Sequence, residues 1–171
     1  MVAIQYRMNA GYPGDVNRAH PFSIIPALPL AGNPPTAYGQ GVIADASGNG
    51  VRPIGAADSA ITELWGITVR PYPLQPASAT NYGEVVLGAG GSPPTNQVLD
   101  IMGAGYIFVQ VVGTPLQGAP VFMWYAAASG SHIQGGFEAA NTGGSTLQLS
   151  NKYYFNGGTD ANGVCELRVR L

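Results

Sequence analysis

The sequence predicts an all-β fold, a small β-barrel or tulip-like β domain with an extended, proline-rich N-terminal arm and long loops. Short β-branched and aromatic runs alternate with clusters of Gly, Pro, Asn and Ser, which is the pattern of strands joined by turns. The 171 residues include 25 glycines and 14 prolines, yet 46% of the chain is hydrophobic, so turns are dense and a core can still form. Only residues 58–63 suggest a helix.

The first 38 residues are predicted to form the arm, and residues 39–171 the barrel-like domain. Tyr12-Pro13-Gly14-Asp15 is a turn signal. The prolines that argue against a helix or a central strand in this segment are Pro21, Pro26, Pro29, Pro34 and Pro35. Apolar residues, among them Phe22, Ile24 and Ile25, lie between the prolines, and an extended apolar segment of this kind is expected to lie along a surface. That surface belongs either to a partner or to the chain's own domain.

The first half of the domain reads as a hairpin and a further strand. Residues 41–44 and 51–54 flank Ser47-Gly48-Asn49-Gly50, whose Asn-Gly pair favours a tight hairpin turn. Residues 64–69 are rich in β-branched and aromatic side chains, and the strand is expected to end at Arg70-Pro71 because proline cannot donate to a ladder.

The second half is predicted to add five strands after a loop at residues 74–97. Residues 98–102 and 106–112 read as two strands separated by Gly103-Ala104-Gly105, the second apolar on both faces and so the most buried. Residues 121–125 open a hairpin that turns near Ser129-Gly130 and closes at residues 132–134. Residues 165–171 alternate apolar and polar side chains, which indicates a last strand with one solvated face.

Composition excludes several classes of partner. Charged residues make up only 9% of the chain and the formal net charge is -2, so no basic stripe is available for nucleic-acid phosphates. We find no apolar run long enough to span a bilayer and no signal-peptide core in residues 1–10. Cys165 is the single cysteine and the two histidines are 112 positions apart, which argues against a disulfide or a zinc site. We therefore predict no nucleic-acid or membrane partner.

No catalytic motif stands out. Gly-x-Ser-x-Gly is absent, and neither His20 nor His132 has an acid or cysteine at triad or ligand spacing. The glycine runs at residues 88–91 and 103–105 lack the Lys-Ser/Thr that follows in a phosphate-binding loop, and residues 160–163 lack the ligands of an EF-hand. The prediction is a protein that is not an enzyme and has no cofactor or metal.

Low charge and an apolar arm favour a function in assembly, because an uncharged face is desolvated at little cost when it docks on a partner. The alternative is a β-rich module that binds a receptor or a carbohydrate. The aromatic residues that could stack on sugars are Trp65, Trp124, Tyr125, Tyr153 and Tyr154.

A set of segments spread over nearly the whole chain is similar to a known family. The segments are Gly11-Tyr12-Pro13-Gly14-Asp15-Val16-Asn17-Arg18, Pro35-Thr36-Ala37-Tyr38-Gly39, Val51-Arg52-Pro53-Ile54, Gly66-Ile67-Thr68-Val69-Arg70-Pro71-Tyr72-Pro73, Gly105-Tyr106-Ile107, Gly135-Gly136-Phe137-Glu138-Ala139-Ala140, Tyr154-Phe155 and Asp160-Ala161-Asn162-Gly163. In this order they resemble the structural cement, or head decoration, proteins of tailed bacteriophages.

The resemblance implies a β-rich decoration protein, without catalysis or cofactor, that binds the outer surface of the assembled head. Its partners would be the major capsid protein and neighbouring copies of itself, as a homo-oligomer on the capsid, and it would occupy the host cytoplasm during assembly. In the same phage context, the alternative is a tail or fibre-associated module that binds a receptor or a carbohydrate. The chain departs from the family near its end, where Cys165, Arg168 and Arg170 replace more neutral residues.

The residues expected to meet the capsid or a neighbouring copy come from three sources. The resemblance points to the arm turn and to a rim loop, the apolar arm supplies further contacts, and arginines would add charge-assisted bonds that fix the register. Together these residues are Pro13, Gly14, Asp15, Arg18, Phe22, Ile24, Ile25, Arg52, Arg70 and Tyr72.

Overall fold

A computed structural model describes residues 11–16, 22–71 and 92–170. Within these ranges the chain forms ten strands and two short 3₁₀ turns, Ala56–Asp58 and Gly143–Ser145, and it contains no helix long and apolar enough to cross a membrane. The strands are β1 (Ser23–Ala27), β2 (Gly41–Ala44), β3 (Val51–Pro53), β4 (Gly66–Thr68), β5 (Leu99–Val112), β6 (Phe122–Trp124), β7 (Phe137–Glu138), β8 (Thr146–Gln148), β9 (Tyr153–Phe155) and β10 (Val164–Val169). The all-β fold class is confirmed.

The strands form one mixed sheet that is not closed into a barrel. Its main path runs β3-β2-β4-β5-β7-β6-β8, with β1 and β10 also on β5 and β9 on β10. All the pairings are antiparallel except β5 with β7. Among the described residues no ladder joins β3 to β8, the two ends of the path. The predicted barrel is therefore an open sheet, which branches at β5 and does not return to its first strand.

The prediction of two strands around residues 103–105 is wrong, since β5 runs through the glycines as a single strand of 14 residues. The glycines mark a change of partner. Ala104 pairs with Ser23 of β1, whereas Gly105 pairs with Val169 of β10. Gly105 has a φ of 128°, a conformation that suits glycine alone, and it lets the strand stay extended where its neighbour changes.

The described part of the predicted arm has backbone partners within the same chain. β1 pairs with residues 99–104 of β5, and the chain then reaches β3, where Val51 donates to the Leu28 carbonyl at 2.8 Å and accepts from the Leu30 amide at 2.8 Å. In these ranges the arm sequence lies on its own domain. The boundary at residue 38 stays a prediction.

The hydrophobic core has two clusters. The larger one lines one face of the sheet and includes Ile107 and Val109 of β5, both fully buried, as the apolar run 106–112 predicted. The smaller cluster consists of Val42, Val51, Leu99 and Ile101, with Ile25 and Ala27 of β1 packed against it. β1 thus covers a cluster that would otherwise be exposed to solvent.

The hairpin of β2 and β3 is confirmed, with Val42 opposite Pro53 and Ala44 opposite Val51, and the last strand is found as β10 with alternating burial. The hairpin that opens at residues 121–125 turns at Ser129-Gly130 as predicted, but its returning strand is β7 and not residues 132–134. Ser129 and His132 close the turn with reciprocal 3.0 Å bonds, and β6 pairs with β7 on one side and β8 on the other.

Candidate functional site

A cleft of about 350 Å³ lies where the N-terminal turn meets the end of β4 and the start of β7. Its lining is mostly uncharged. The residues around it are Tyr12, Pro13, Thr36, Ala37, Tyr38, Gly39, Gln40, Arg70, Ser92, Gln110, Val112, Ser131, Ile133, Gly136, Phe137 and Glu138.

The turn at residues 12–15 forms one wall of the cleft and is held by backbone bonds to two other elements. The Gly14 amide donates to the Phe108 carbonyl of β5 at 2.7 Å, and the Arg70 amide donates to the Gly14 carbonyl at 2.9 Å. Gly14 has a φ of 89°, and a Cβ there would lie 2.9 Å from the Arg70 nitrogen. Glycine is therefore required at this position.

Arg70 ties the turn together electrostatically. Its guanidinium lies 3.3 Å from the Asp15 carboxylate and 4.6 Å from the centre of the Tyr12 ring. The side chain of Arg70 is 12% exposed and that of Asp15 38% exposed, so the charge sits at the rim. Nearby, burial raises the pKa of Tyr38, and Arg70 partly opposes that rise.

Gln40 makes the floor of the cleft rigid. It is 2% exposed, and its side-chain oxygen accepts bonds from the amides of Thr36 at 2.7 Å and Ala37 at 3.1 Å. Its side-chain nitrogen donates to the Gln134 carbonyl, and its backbone amide donates to the Thr68 hydroxyl at 3.0 Å. The loop before β2 is thus fastened to β4 and to the chain before β7.

The opposite wall contains a pair that sequence spacing did not reveal. His132 Nδ1 lies 2.7 Å from Glu138 Oε1, and the imidazole stacks on the Trp124 ring with a centroid distance of 4.2 Å. Glu138 is buried. The two residues come together because the tight bridge at residues 129–132 folds the histidine back over β7. Within residues 11–16, 22–71 and 92–170, no three metal-ligating side chains cluster.

The structure brings together four of the predicted contact residues and separates the others. Pro13, Gly14, Asp15 and Arg70 meet at the cleft. Phe22 precedes β1 and is 44% exposed, whereas the following two predicted contacts, Ile24 and Ile25 of β1, are partly buried against the two core clusters. Arg18 and Tyr72 lie outside the described residues.

Arg52 lies apart from the cleft and is surrounded by acids of its own chain. Nη1 and Nη2 contact the two Asp58 oxygens at 2.7 and 3.1 Å, and Nε contacts Asp45 at 3.1 Å. Asp58 also accepts from the Gly55 amide at 2.7 Å. The hydrogen bond from Arg52 is the main cause that lowers the pKa of Asp58. This guanidinium therefore links the β2–β3 hairpin to the following 3₁₀ turn.

Two exposed apolar side chains near β1 are not among the predicted contact residues. Leu28 is 53% exposed and Val98 59% exposed, and they directly flank Ala27 and Leu99, the last pair of the β1–β5 ladder. With Phe22 they flank β1 at both ends. The apolar pattern of the sequence could not show that Leu28 and Val98 are exposed. They lie one position beyond the paired residues of β1 and β5, and the pattern does not mark where the pairing ends.

Most of the aromatic residues considered for sugar stacking are covered by the chain's own residues. Trp124 and Tyr153 are buried, and Tyr153 accepts from the Leu64 amide at 3.0 Å. Tyr125 and Tyr154 are partly buried, and Trp65 is half exposed. Four of the five rings are thus buried or partly buried and have little ring face to offer a sugar, which weakens the carbohydrate-binding alternative.

Comparison with known proteins points to phage capsids. The family model described as XM1 gp53 minor capsid protein matches residues 1–169. A solved structure, the capsid of Myoviridae phage XM1, contains a chain with a TM-score of 0.68 and 18% sequence identity, and the match covers 98% of this chain and 95% of that chain. At that identity the structural match shows a shared fold. No curated protein matches the chain.

Proposed function

Because the chain belongs to the XM1 gp53 minor capsid protein family, a structural component of the phage virion, we propose that it is a head decoration protein. In this function it binds the outer surface of the assembled head and stabilises contacts between major capsid protein subunits. The family match over residues 1–169 is the observation that carries the proposal.

The described surface supports docking on a large partner. Phe22, Leu28 and Val98 are between 44% and 59% exposed and lie around β1, where the edge strand carries Pro26. Burying such side chains contributes roughly 25 cal/mol per Å² of apolar area before entropy costs. With charged residues at only 9% of the chain, little charge must be desolvated. We assign the apolar face, defined by these three side chains, to the capsid contact.

The turn at residues 12–15 is suited to a second contact. Its backbone is held at Gly14 by β5 and by Arg70, so little conformational entropy is lost when a partner binds it. The Asp15–Arg70 pair lies at the rim of the cleft, where it would add orientation more than affinity. In this proposal Arg52 stabilises the protein itself, since its donors face Asp45 and Asp58.

The proposed function requires no catalysis or cofactor. A repeated contact of modest strength becomes long-lived on a lattice, because a subunit that also touches its neighbours is held at high effective concentration. The partners are therefore the major capsid protein and neighbouring copies of this chain.

The experiment mixes the purified protein with expanded capsids that lack it, sediments the capsids and measures their heat resistance. Co-sedimentation with raised heat resistance supports the decoration function, and protein left in the supernatant refutes it. A Leu28→Ser variant tests the apolar face and is expected to bind at least tenfold more weakly. Leu116→Ser is the matched control, since Leu116 is 75% exposed in the loop between β5 and β6, away from β1.

A further inference from the structure

The solvated face of β10 carries a row of arginine and tyrosine side chains. In the register of the sheet, Arg168 stands opposite Tyr106 of β5 on one side and Tyr154 of β9 on the other. Its guanidinium carbon lies 5.1 Å from the Tyr106 ring centre and 5.5 Å from that of Tyr154. The guanidinium of Arg170 lies 4.7 Å from the Tyr154 ring centre. We call these four residues the arginine–tyrosine face.

The two arginines have no carboxylate partner among the described residues. The ion pairs there involve Arg52, Arg70, His132 and Lys152. Glu166 shares the face of β10 and accepts a bond from Asn156. The neighbouring Lys152, whose carbonyl accepts from the Arg170 amide, is paired with Glu63 at 2.9 Å. The face therefore keeps an excess of positive charge in a chain whose net charge is negative.

Tyrosine rings hold these guanidinium groups without using up their hydrogen-bond donors. A guanidinium stacked on a ring is attracted by the π-system, while the N–H groups at its edge stay available. Because Arg168 is partly buried between two rings, less side-chain entropy is lost when it binds. A carboxylate matches this planar fork with two parallel hydrogen bonds.

We infer that the arginine–tyrosine face binds an acidic segment of the neighbouring major capsid protein, through carboxylates that contact Arg168 and Arg170. The inference rests on the proposed function for the identity of this partner. A nucleic acid fits less well, because phosphate-backbone binding draws on many cations and the whole chain has seven Lys and Arg. The tyrosine rings hold the guanidinium groups in place. Fixed, planar guanidinium groups favour a carboxylate that binds through two hydrogen bonds over a diffuse anionic surface.

The first test measures capsid co-sedimentation of Arg168→Gln and Arg170→Gln at several salt concentrations, with Lys152→Gln as the control that removes the same charge nearby. Each arginine variant is expected to bind about tenfold more weakly and with less salt dependence, while Lys152→Gln binds like the unchanged protein. Arg168→Lys keeps the positive charge but loses the planar guanidinium that can make two parallel hydrogen bonds. Its capsid binding is expected to be weaker as well. Arg170 is exposed, so Arg170→Gln tests the inference even if an Arg168 variant unfolds. Unchanged binding by a folded Arg170→Gln overturns it.

The second test separates this inference from the proposed function. A hexaglutamate peptide is titrated into the isotope-labelled full chain, with inorganic polyphosphate as the comparison, and amide shifts are followed by NMR. Shifts with hexaglutamate that centre on β9 and β10 and vanish in Arg168→Gln support the acidic-segment site, whether or not the capsids bind. Shifts with polyphosphate alone, or with neither probe, overturn the site even if the protein co-sediments with capsids.

Discussion

Substitution of Arg52 by Gln separates a structural role from a capsid-contact role for this residue. The guanidinium bridges Asp58 through two bonds of 2.7 and 3.1 Å, and the Arg52 and Asp58 side chains are 20% and 10% exposed. We expect the loss of both Arg52 bonds to Asp58 to lower the free energy of unfolding by about 1.5 kcal/mol. This value is below that of a fully buried hydrogen bond to a charged group, because solvent reaches the pair. For a chain of this size the midpoint of thermal unfolding should fall by about 3–6 °C.

The stabilisation from the Arg52–Asp58 pair is also expected to depend on pH. The bond from Arg52 lowers the pKa of Asp58 from 3.8, so the folded state holds the ionised form more strongly than the unfolded chain does. That stabilisation is complete above the unfolded pKa and is lost as the pH falls through the lowered folded pKa. The difference in stability between the unchanged protein and Arg52→Gln should therefore shrink below about pH 4.

The assay is urea unfolding followed by tryptophan fluorescence between pH 7 and pH 3, with a double-mutant cycle through Asp58→Asn. Lys152→Gln is the control, because the Lys152–Glu63 pair is solvent-exposed, with side chains 45% and 54% exposed, and such pairs contribute little. Arg52→Gln with unchanged stability at pH 7 and reduced capsid binding would refute the structural assignment and return Arg52 to the predicted contacts.

Three further substitutions test the fold and the cleft. Ile101→Ala empties a fully buried site in the smaller core cluster and should cost about 2–5 kcal/mol in urea unfolding; a loss below 1 kcal/mol would show that β1 does not seal this cluster. Gly14→Ala places a Cβ 2.9 Å from the Arg70 nitrogen at a φ of 89°, so the midpoint of thermal unfolding should fall by several degrees, and an unchanged melt would contradict the geometry of the turn. Tyr153→Phe removes the acceptor of the Leu64 amide and should cost about 1 kcal/mol. Burial raises the pKa of Tyr153, so its neutral form stabilises the fold below pH 10 and that contribution is lost as the pH rises through the folded pKa; an equal alkaline loss of stability in the variant would argue against this assignment.

The two proposed contact surfaces, the apolar face and the arginine–tyrosine face, are expected to respond differently to high salt. The proposed contact through Phe22, Leu28 and Val98 is apolar and should persist, because salt screens charges but does not weaken the burial of apolar surface. Contact through Arg168 and Arg170 should weaken. A chain that uses both surfaces would therefore retain part of its affinity at high salt.

Local sequence determined the fold class and several strands of this protein. The Asn-Gly turn and its apolar flanks predicted the β2–β3 hairpin, and the alternation at the chain's end predicted β10. These features are readable because turn chemistry and a period of two act between residues that are close along the chain. The turn at residues 12–15 was likewise predicted from local residues, whereas Arg70 was singled out through the family resemblance.

Tertiary structure decided which distant segments meet. The pairing of β1 with β5 joins residues between 72 and 81 positions apart, and it made an arm sequence that could have lain on a partner into an edge of the chain's own sheet. In the same way Arg168 became the centre of a cationic face only because β5 and β9 each place a tyrosine beside it. Strand propensity and composition are nearly the same for every candidate partner strand, so the choice among them depends on the packing of the whole core.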